Sequence, residues 1–133
     1  MEIIEVAAGL VFHEGKLLIT QRPTGKPLEG LWEFPGGKRE PRESFETCLR
    51  RELMEELGIE VEPRELVLRV RHEYPEKVVE IQFHECSWIG GELRARDGQN
   101  VKWVERDELA AYSFLAADEK LIGALLEEDE FWQ

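Results

Sequence analysis

The sequence predicts an α/β fold, with one mixed β-sheet sandwiched between α-helices in a single domain over residues 1–133. Segments with the alternation of β-strands run along the chain, and two longer segments with helical periodicity interrupt them. A chain of 133 residues, with 42% hydrophobic and 35% charged residues, has room for one hydrophobic core. These patterns indicate the fold class and leave the order of the strands open.

Each secondary-structure element is predicted from local apolar patterns and turn formers. Strands are predicted at residues 3–12, 16–21, 32–34, 65–72, 78–89 and 101–104. The turn signals are His13-Glu14-Gly15, Tyr74-Pro75-Glu76 and Gly90-Gly91. Helices are predicted at residues 44–57 and 117–128, with a short helix near residues 107–111. Ser44 is a good N-cap for the first helix, and Gly58 is a candidate C-cap.

Three residues of the first helix, which we call the helix glutamates (Glu52, Glu55 and Glu56), indicate a metal site. At about 100° per residue they fall on one side of the helix. An ordinary acidic helix places its charges opposite the apolar stripe, whereas Glu52 and Glu56 flank Phe45 at the edge of that stripe. Crowded, half-buried carboxylates need more positive charge than Arg51 alone supplies. We therefore expect a bound Mg²⁺, which takes its remaining ligands from water and substrate phosphates.

A loop with two glycines comes before this helix. The segment LWEFPGGK, residues 31–38, joins a strand-like run to a proline and to Gly36-Gly37, whose backbone can approach a ligand closely. After Gly37 come five residues, Glu43, seven more residues, and then the sequence RELMEELGI of residues 51–59. This spacing resembles the motif of the Nudix hydrolases at seven fixed identities and both apolar positions.

The resemblance implies the Nudix fold and a set of roles for the motif residues. The carbonyl of Gly36 or Gly37 would complete the metal shell, and the helix glutamates would bind the metal or deprotonate water. Glu43 would hold the outer part of the site, and Arg51 would orient a glutamate through a bidentate pair. One departure concerns Arg42, because relatives often have glycine before the glutamate and the loop conformation depends on this residue.

Within the family, the resemblance points to the MutT-like nucleoside triphosphate pyrophosphohydrolases. The segment LITQR ends on an arginine near the substrate phosphate in those enzymes, although a surface cation is the alternative here. The segment FLAAD resembles the one that bears their base-reading residue, although Asp118 is also a plausible helix N-cap. The implied substrate-binding residues are Arg22, Phe34, Lys38 and Asp118. Asp97, in an acidic-Gly-Gln loop, is implied as a further metal ligand or as a base; relatives often have glutamate there, and the shorter aspartate would reach the metal through water.

Asp118 also bears on which base is read. An ionised aspartate only accepts hydrogen bonds, so it favours the amine of cytosine or adenine, or the N7–H of 8-oxoguanine. Many relatives that sanitise oxidised guanine have asparagine at this position. The aspartate shifts the expectation toward a cytidine or adenine nucleotide without excluding an oxidised purine.

The implied reaction is the Mg²⁺-dependent hydrolysis of a nucleoside triphosphate to a monophosphate and pyrophosphate, with Mn²⁺ able to substitute. One alternative is a Nudix enzyme for ADP-ribose or a dinucleoside polyphosphate. Tyr74-Pro75 lies where such subfamilies carry a selecting residue, and a hairpin turn explains it equally well. The other alternative is a catalytically silent nucleotide-binding module, against which the complete set of motif carboxylates argues.

Charge and hydropathy restrict the partners. The net charge is −12, and residues 105–130 carry nine acidic and two basic side chains, so we expect no nucleic-acid partner. The chain has no run of membrane-span length, and its start, MEIIEVAAGLVF, lacks the order of a signal peptide, which predicts a cytoplasmic protein without a membrane partner. Cys48 and Cys86 are expected to stay reduced. The oligomeric state is not encoded in any of these patterns.

Overall fold

The computed structural model of the protein describes residues 2–96 and 98–133. Within these ranges the elements are β1 (Glu2–His13), β2 (Lys16–Gln21), β3 (Trp32–Glu33), β4 (Gly36–Lys38), α1 (Phe45–Leu57), β5 (Ile59–Glu73), β6 (Lys77–Gly91), β7 (Val101–Val104) and α2 (Glu119–Glu127). Short 3-10 helices lie at Arg106–Ala111, Ala116–Asp118 and Asp129–Trp132. The described part of the chain contains no helix long and apolar enough to cross a bilayer.

The seven strands form one mixed sheet with β1 at its centre. The main order is β3-β2-β1-β6-β5, with β4 paired to β1 and β7 paired to β2. β1 runs parallel to β6 along ten residue pairs, from Glu2↔Lys77 to Val11↔Cys86. Its other edge pairs antiparallel with β4 and then with β2. A single strand therefore holds the glycine loop, the β5–β6 hairpin and β2 together.

Side chains of β1 alternate between two hydrophobic cores, one on each face of the sheet. One core packs beneath α1 and includes Ala7, Val11, Cys48, Leu49, Leu53, Leu57 and Cys86. The other packs beneath α2 and includes Ala8, Leu10, Phe34, Phe83, Leu121 and Leu125. Helices thus cover both faces, which confirms the predicted α/β sandwich. The two cysteines are buried free thiols.

Element boundaries differ from prediction where long-range pairing sets them. Gly36–Lys38 forms β4 because it pairs with Val6–Ala8 of β1, although its sequence has no strand pattern. β5 begins at Ile59 instead of residue 65, because its bulged first half pairs with the end of β6. The predicted Gly90-Gly91 turn is wrong for the same reason, since Gly91 pairs with Ile59. α2 begins at Glu119 after a 3-10 turn.

Candidate active site

The first helix is placed by its caps and by its buried face. The Ser44 Oγ accepts a hydrogen bond from the backbone N–H of Thr47 at 3.0 Å. Gly58 adopts φ 70°, in the left-handed region, and its N–H donates to the carbonyl of Met54. Both predicted caps are therefore confirmed. The buried residues are Cys48, Leu49, Leu53 and Leu57, and they fix the rotation of α1 so that the helix glutamates lie along one edge.

Arg51 is the centre of a carboxylate network on this edge. It forms the expected bidentate pair with Glu43, with Nη2–Oε1 at 2.6 Å and Nε–Oε2 at 3.1 Å. Its Nη1 also donates to Glu52 Oε1 at 2.8 Å and lies 3.4 Å from Glu55 Oε2. Its planar guanidinium presents donors on three sides and so contacts several carboxylates with a single positive charge.

The network keeps Glu43 ionised. Hydrogen bonds from Arg51 hold the pKa of Glu43 at about 2, and the backbone N–H of Glu40 adds a further bond of 2.9 Å. The same bonds raise the pKa of Arg51 above its ordinary value. The side chains of Glu43 and Glu52 are 12% and 16% exposed, whereas Glu55 is 61% exposed. Glu55 is therefore not half-buried as expected and lies at the outer end of the site.

The glycine loop packs directly against this network. A side chain at Gly37 would overlap the Glu52 carboxylate, and one at Gly36 would overlap the backbone of Ala7. This close approach explains both glycines. Glu56 is half-buried and lines a neighbouring cavity. The edge thus brings carboxylate oxygens against the glycine backbone in a confined space, and oxygen donors of this kind fit a hard divalent cation.

As they stand, no three His, Cys, Asp or Glu side chains within residues 2–96 and 98–133 are arranged to hold a metal ion. Arg51 stands among the carboxylates and contacts Glu43, Glu52 and Glu55. The three-fold convergence expected for the helix glutamates is therefore not present in this arrangement. Asp97, the further ligand implied by the family resemblance, lies outside the described residues.

Two adjoining cavities lie beside the network. The first, which we call the polar cavity, has a volume of about 440 Å³ and is lined by Arg22, Lys26, Glu33, Glu56 and others. The second, which we call the Phe34 cavity, has a volume of about 380 Å³. All four predicted substrate-binding residues line the Phe34 cavity: Arg22, Phe34, Lys38 and Asp118. Tyr74 lies both in the β5–β6 turn and on the wall of this cavity, so a role in the hairpin turn and a role in substrate selection are compatible.

Asp118 is the most buried carboxyl on these walls, at 4% exposure. Asp118 occupies the N-cap position of α2, as the alternative predicted, but its side chain makes no capping hydrogen bond. Its Oδ2 is buried and has no hydrogen-bond partner in the described part of the chain. The pKa of Asp118 is raised to about 8, mainly by burial and further by the charge of Glu33, with Arg22 opposing both. This shift favours the protonated form at neutral pH, whereas the sequence predicted an ionised acceptor.

Glu33 is the functional candidate that the sequence patterns missed. It lines both cavities and accepts a hydrogen bond from Arg22 Nε at 2.9 Å. Burial raises its pKa, and Arg22 opposes that shift. Arg22 is therefore a paired wall residue of both cavities, not a free surface cation. A single charged residue between two buried aromatics, Trp32 and Phe34, was the available signal.

Backbone pairing brings Asp118 to this wall. The N–H of Trp32 donates to the carbonyl of Ser113 at 2.8 Å, and the N–H of Leu115 donates to the carbonyl of Trp32 at 3.2 Å. The segment before α2 is thus joined to β3. The Phe34 ring stacks on Phe114 with centroids 5.4 Å apart. These contacts place the base-reading candidate beside Phe34.

A family model described as a NUDIX domain matches residues 7–124. The chain belongs to the Nudix family. It is 43% identical to an 8-oxo-dGTP diphosphatase of Haemophilus influenzae, over 96% of this chain and 94% of the relative. It is 37% identical to a CTP pyrophosphohydrolase of Escherichia coli, over 95% of this chain and 93% of the relative. Like other Nudix hydrolases, it is an enzyme of the class that generally requires a divalent metal ion.

Solved Nudix structures agree with the fold. The solution structure of the E. coli ORF135 protein superposes with a TM-score of 0.85 at 37% identity, covering 96% of this chain and 91% of that one. A MutT structure from a study of Aliivibrio salmonicida and Vibrio cholerae has a TM-score of 0.79 at 30% identity, covering 94% and 97%. The Nudix architecture expected from the motif is therefore confirmed.

Proposed function

We propose that this Nudix enzyme hydrolyses a nucleoside triphosphate to a monophosphate and pyrophosphate, with Mg²⁺ as the metal and Mn²⁺ as a substitute. The observation that carries the proposal is the pair of cavities joined at Arg22 and Glu33. One contains Glu56 and suits a phosphate chain, and the other contains Phe34 and Asp118 and suits a base. The two relatives are named for action on the nucleoside triphosphates 8-oxo-dGTP and CTP, which supports this division. We propose that the enzyme works in the cytoplasm.

The motif edge supplies the chemistry. The carbonyl of Gly36 or Gly37 and the helix glutamates would hold the metal, with Asp97 as a proposed further ligand. A bound divalent cation neutralises phosphate charge and polarises phosphorus. Glu52 and Glu56 are the half-buried candidates for accepting the proton of the attacking water, while Glu55 completes the outer edge. Glu43 holds Arg51 through the bidentate pair, and Arg51 positions Glu52.

The cavity walls bind the rest of the nucleotide. Arg22 and Lys38 supply positive charge for phosphate oxygens, and Phe34 packs against the base. A protonated Asp118 offers one O–H donor and one acceptor oxygen, the same pattern as an asparagine. The N7 and O6 edge of unmodified guanine presents two acceptors and leaves that acceptor oxygen unpaired. Cytosine, adenine and 8-oxoguanine each offer a donor beside an acceptor.

The test is a screen of purified protein with Mg²⁺ against canonical nucleoside triphosphates, 8-oxo-dGTP, ADP-ribose and dinucleoside polyphosphates. We expect a monophosphate and pyrophosphate from a cytidine, adenine or 8-oxoguanine nucleotide. We expect kcat/KM for dGTP to be at least about 10-fold lower than for 8-oxo-dGTP. Hydrolysis in ¹⁸O-water, with the label found in pyrophosphate, would identify attack at the β-phosphorus. Faster turnover of ADP-ribose, or turnover of none of the compounds, would contradict the proposal.

A further inference from the structure

The loop between β4 and α1, residues 39–44, carries Glu43 into the network in a strained conformation. Arg42 adopts φ 75°, a left-handed conformation that residues with side chains disfavour. Two bonds close the turn around it. The N–H of Glu43 donates to the carbonyl of Glu40 at 3.2 Å, and the N–H of Glu40 donates to Glu43 Oε1 at 2.9 Å. The loop therefore needs further contacts to hold this shape.

Arg39, the first residue of the loop, supplies those contacts. Its Nη1 donates to the carbonyl of Glu43 at 2.8 Å, and its Nη2 donates to the carboxylate of Glu5 on β1 at 2.5 Å. The backbone N–H of Arg39 donates to the carbonyl of Glu5 at 2.8 Å. The guanidinium lies 5.4 Å from the centre of the Phe45 ring, at the first residue of α1. One side chain, 25% exposed, thus ties together the central strand, the loop and the helix.

The contacts continue from the loop backbone to the helix. Arg39 holds the carbonyl of Glu43, the carboxylate of Glu43 forms the bidentate pair with Arg51, and Arg51 donates to Glu52. Arg39 touches none of the helix glutamates itself. Its hydrogen-bonded connection to the motif edge runs through Glu43.

We propose that Arg39 is a positioning residue that offsets the strain at Arg42 and keeps Glu43 bound to Arg51. If the loop relaxes, Glu43 moves away and Arg51 can pair more fully with the helix glutamates. Those carboxylates then have less negative charge to offer a divalent cation. This inference rests on the proposed function, since it assigns the helix glutamates to the metal.

The experiment compares Arg39→Ala, Arg39→Lys and the double variant Arg39→Ala/Arg42→Gly. The matched control is Arg71→Ala, because Arg71 also bonds a carboxylate across the sheet, that of Glu80, and makes no described contact with the loop. Three quantities are measured: amide hydrogen exchange at Glu43 without metal, Mn²⁺ affinity by electron paramagnetic resonance, and kcat and KM at subsaturating Mg²⁺.

For Arg39→Ala we expect faster exchange at Glu43, an Mn²⁺ Kd raised about 5- to 10-fold, and kcat lowered about 10-fold with KM within about 2-fold. The exchange rate, Mn²⁺ Kd and kcat of Arg39→Lys should lie between those of this variant and the wild type, because a lysine keeps the charge and loses part of the guanidinium's hydrogen bonding. The double variant should recover most of the Mn²⁺ affinity, since glycine adopts the left-handed conformation without strain. Arg71→Ala should match the wild type in exchange at Glu43, in Mn²⁺ affinity and in kcat and KM.

Wild-type exchange at Glu43 and wild-type Mn²⁺ affinity in Arg39→Ala would overturn the inference. An equal loss of Mn²⁺ affinity in Arg39→Ala and in the double variant would also overturn it, because it would show that Arg39 only stabilises the fold. A wild-type protein that turns over no nucleotide would overturn the proposed function instead. The exchange rates and Mn²⁺ affinities would then still decide the role of Arg39.

Discussion

Two regions of the site contain carboxyl groups whose pKa values are shifted in opposite directions. At the motif edge, hydrogen bonds from Arg51 lower the pKa of Glu43 to about 2. On the wall of the Phe34 cavity, burial raises the pKa of Asp118 to about 8. Glu43 has a bidentate guanidinium as its partner, whereas Asp118 is desolvated, lies near the charge of Glu33 and has a buried oxygen without a described partner. These opposite shifts fit the proposed division, in which the motif edge takes cations and phosphate and the cavity wall takes a neutral base.

The largest expected effect tests the ionised region. Glu56→Gln should lower kcat by more than about 100-fold, because it removes a negative charge proposed to hold the metal or accept the water proton. The free energy of unfolding should stay the same or rise slightly, since one of several like charges is lost. Steady-state kinetics with Mg²⁺ and thermal unfolding measure both. The control is Glu46→Gln, an exposed acid in the first turn of the same helix. Wild-type kcat in Glu56→Gln would show that this assignment is wrong.

The second prediction tests the neutral region. Asp118→Ala should lower kcat/KM for the best substrate by about 10-fold or more, or about 1.5–3 kcal/mol, because a base-reading hydrogen-bond partner is removed. The ratio between good and poor substrates should shrink, since selectivity depends on that contact. Asp118→Asn keeps one donor and one acceptor and should preserve the selectivity at neutral pH. An equal loss for every base would mean that Asp118 serves only the packing of the segment before α2.

A third prediction uses pH to separate the two states of Asp118. The unfolded chain ionises this carboxyl near pH 3.8 and the folded protein near pH 8, so folding stability falls as pH rises through this interval. Asp118→Asn removes that dependence. The Tm of the variant relative to wild type should therefore increase from pH 4 to about pH 8 and then stay constant. Calorimetric scans across this range measure it, and a constant difference in Tm would contradict a protonated Asp118.

The smallest expected effect is a pH dependence of folding stability due to Glu43, opposite in sign to the one due to Asp118. The folded pKa of Glu43, about 2, lies below the ordinary 4.5, so it stabilises the fold above pH 4.5 and loses this contribution as the pH falls toward 2. Glu43→Gln should destabilise the protein slightly at pH 7 and should match the wild type near pH 2. Denaturant unfolding at several pH values tests this. If the difference in unfolding free energy between Glu43→Gln and the wild type widens on acidification, the pair with Arg51 does not set the pKa of Glu43.

Much of the motif region could be predicted because its signals are short-range. Ser44, Gly58 and the apolar stripe of α1 all act within a few residues, and the caps and rotation of the helix followed from them. The placement of Arg22, Phe34, Lys38 and Asp118 around one cavity agreed with the family resemblance, although their roles stay predictions. The position of Gly37 against Glu52 likewise agreed with a glycine chosen for close approach.

Tertiary structure determined the strands and the pKa shift that depend on residues distant in the chain. The three residues of β4 become a strand only because β1 pairs with them, and the first half of β5 is extended only because β6 continues through Gly91. The pKa of Asp118 depends on the packing that buries it beside Glu33, which lies far from it in the chain. The sequence by itself determined the motif helix and its family. The protonation of the cavity wall came from folding, because desolvation is a property of the packed surroundings and not of the residue.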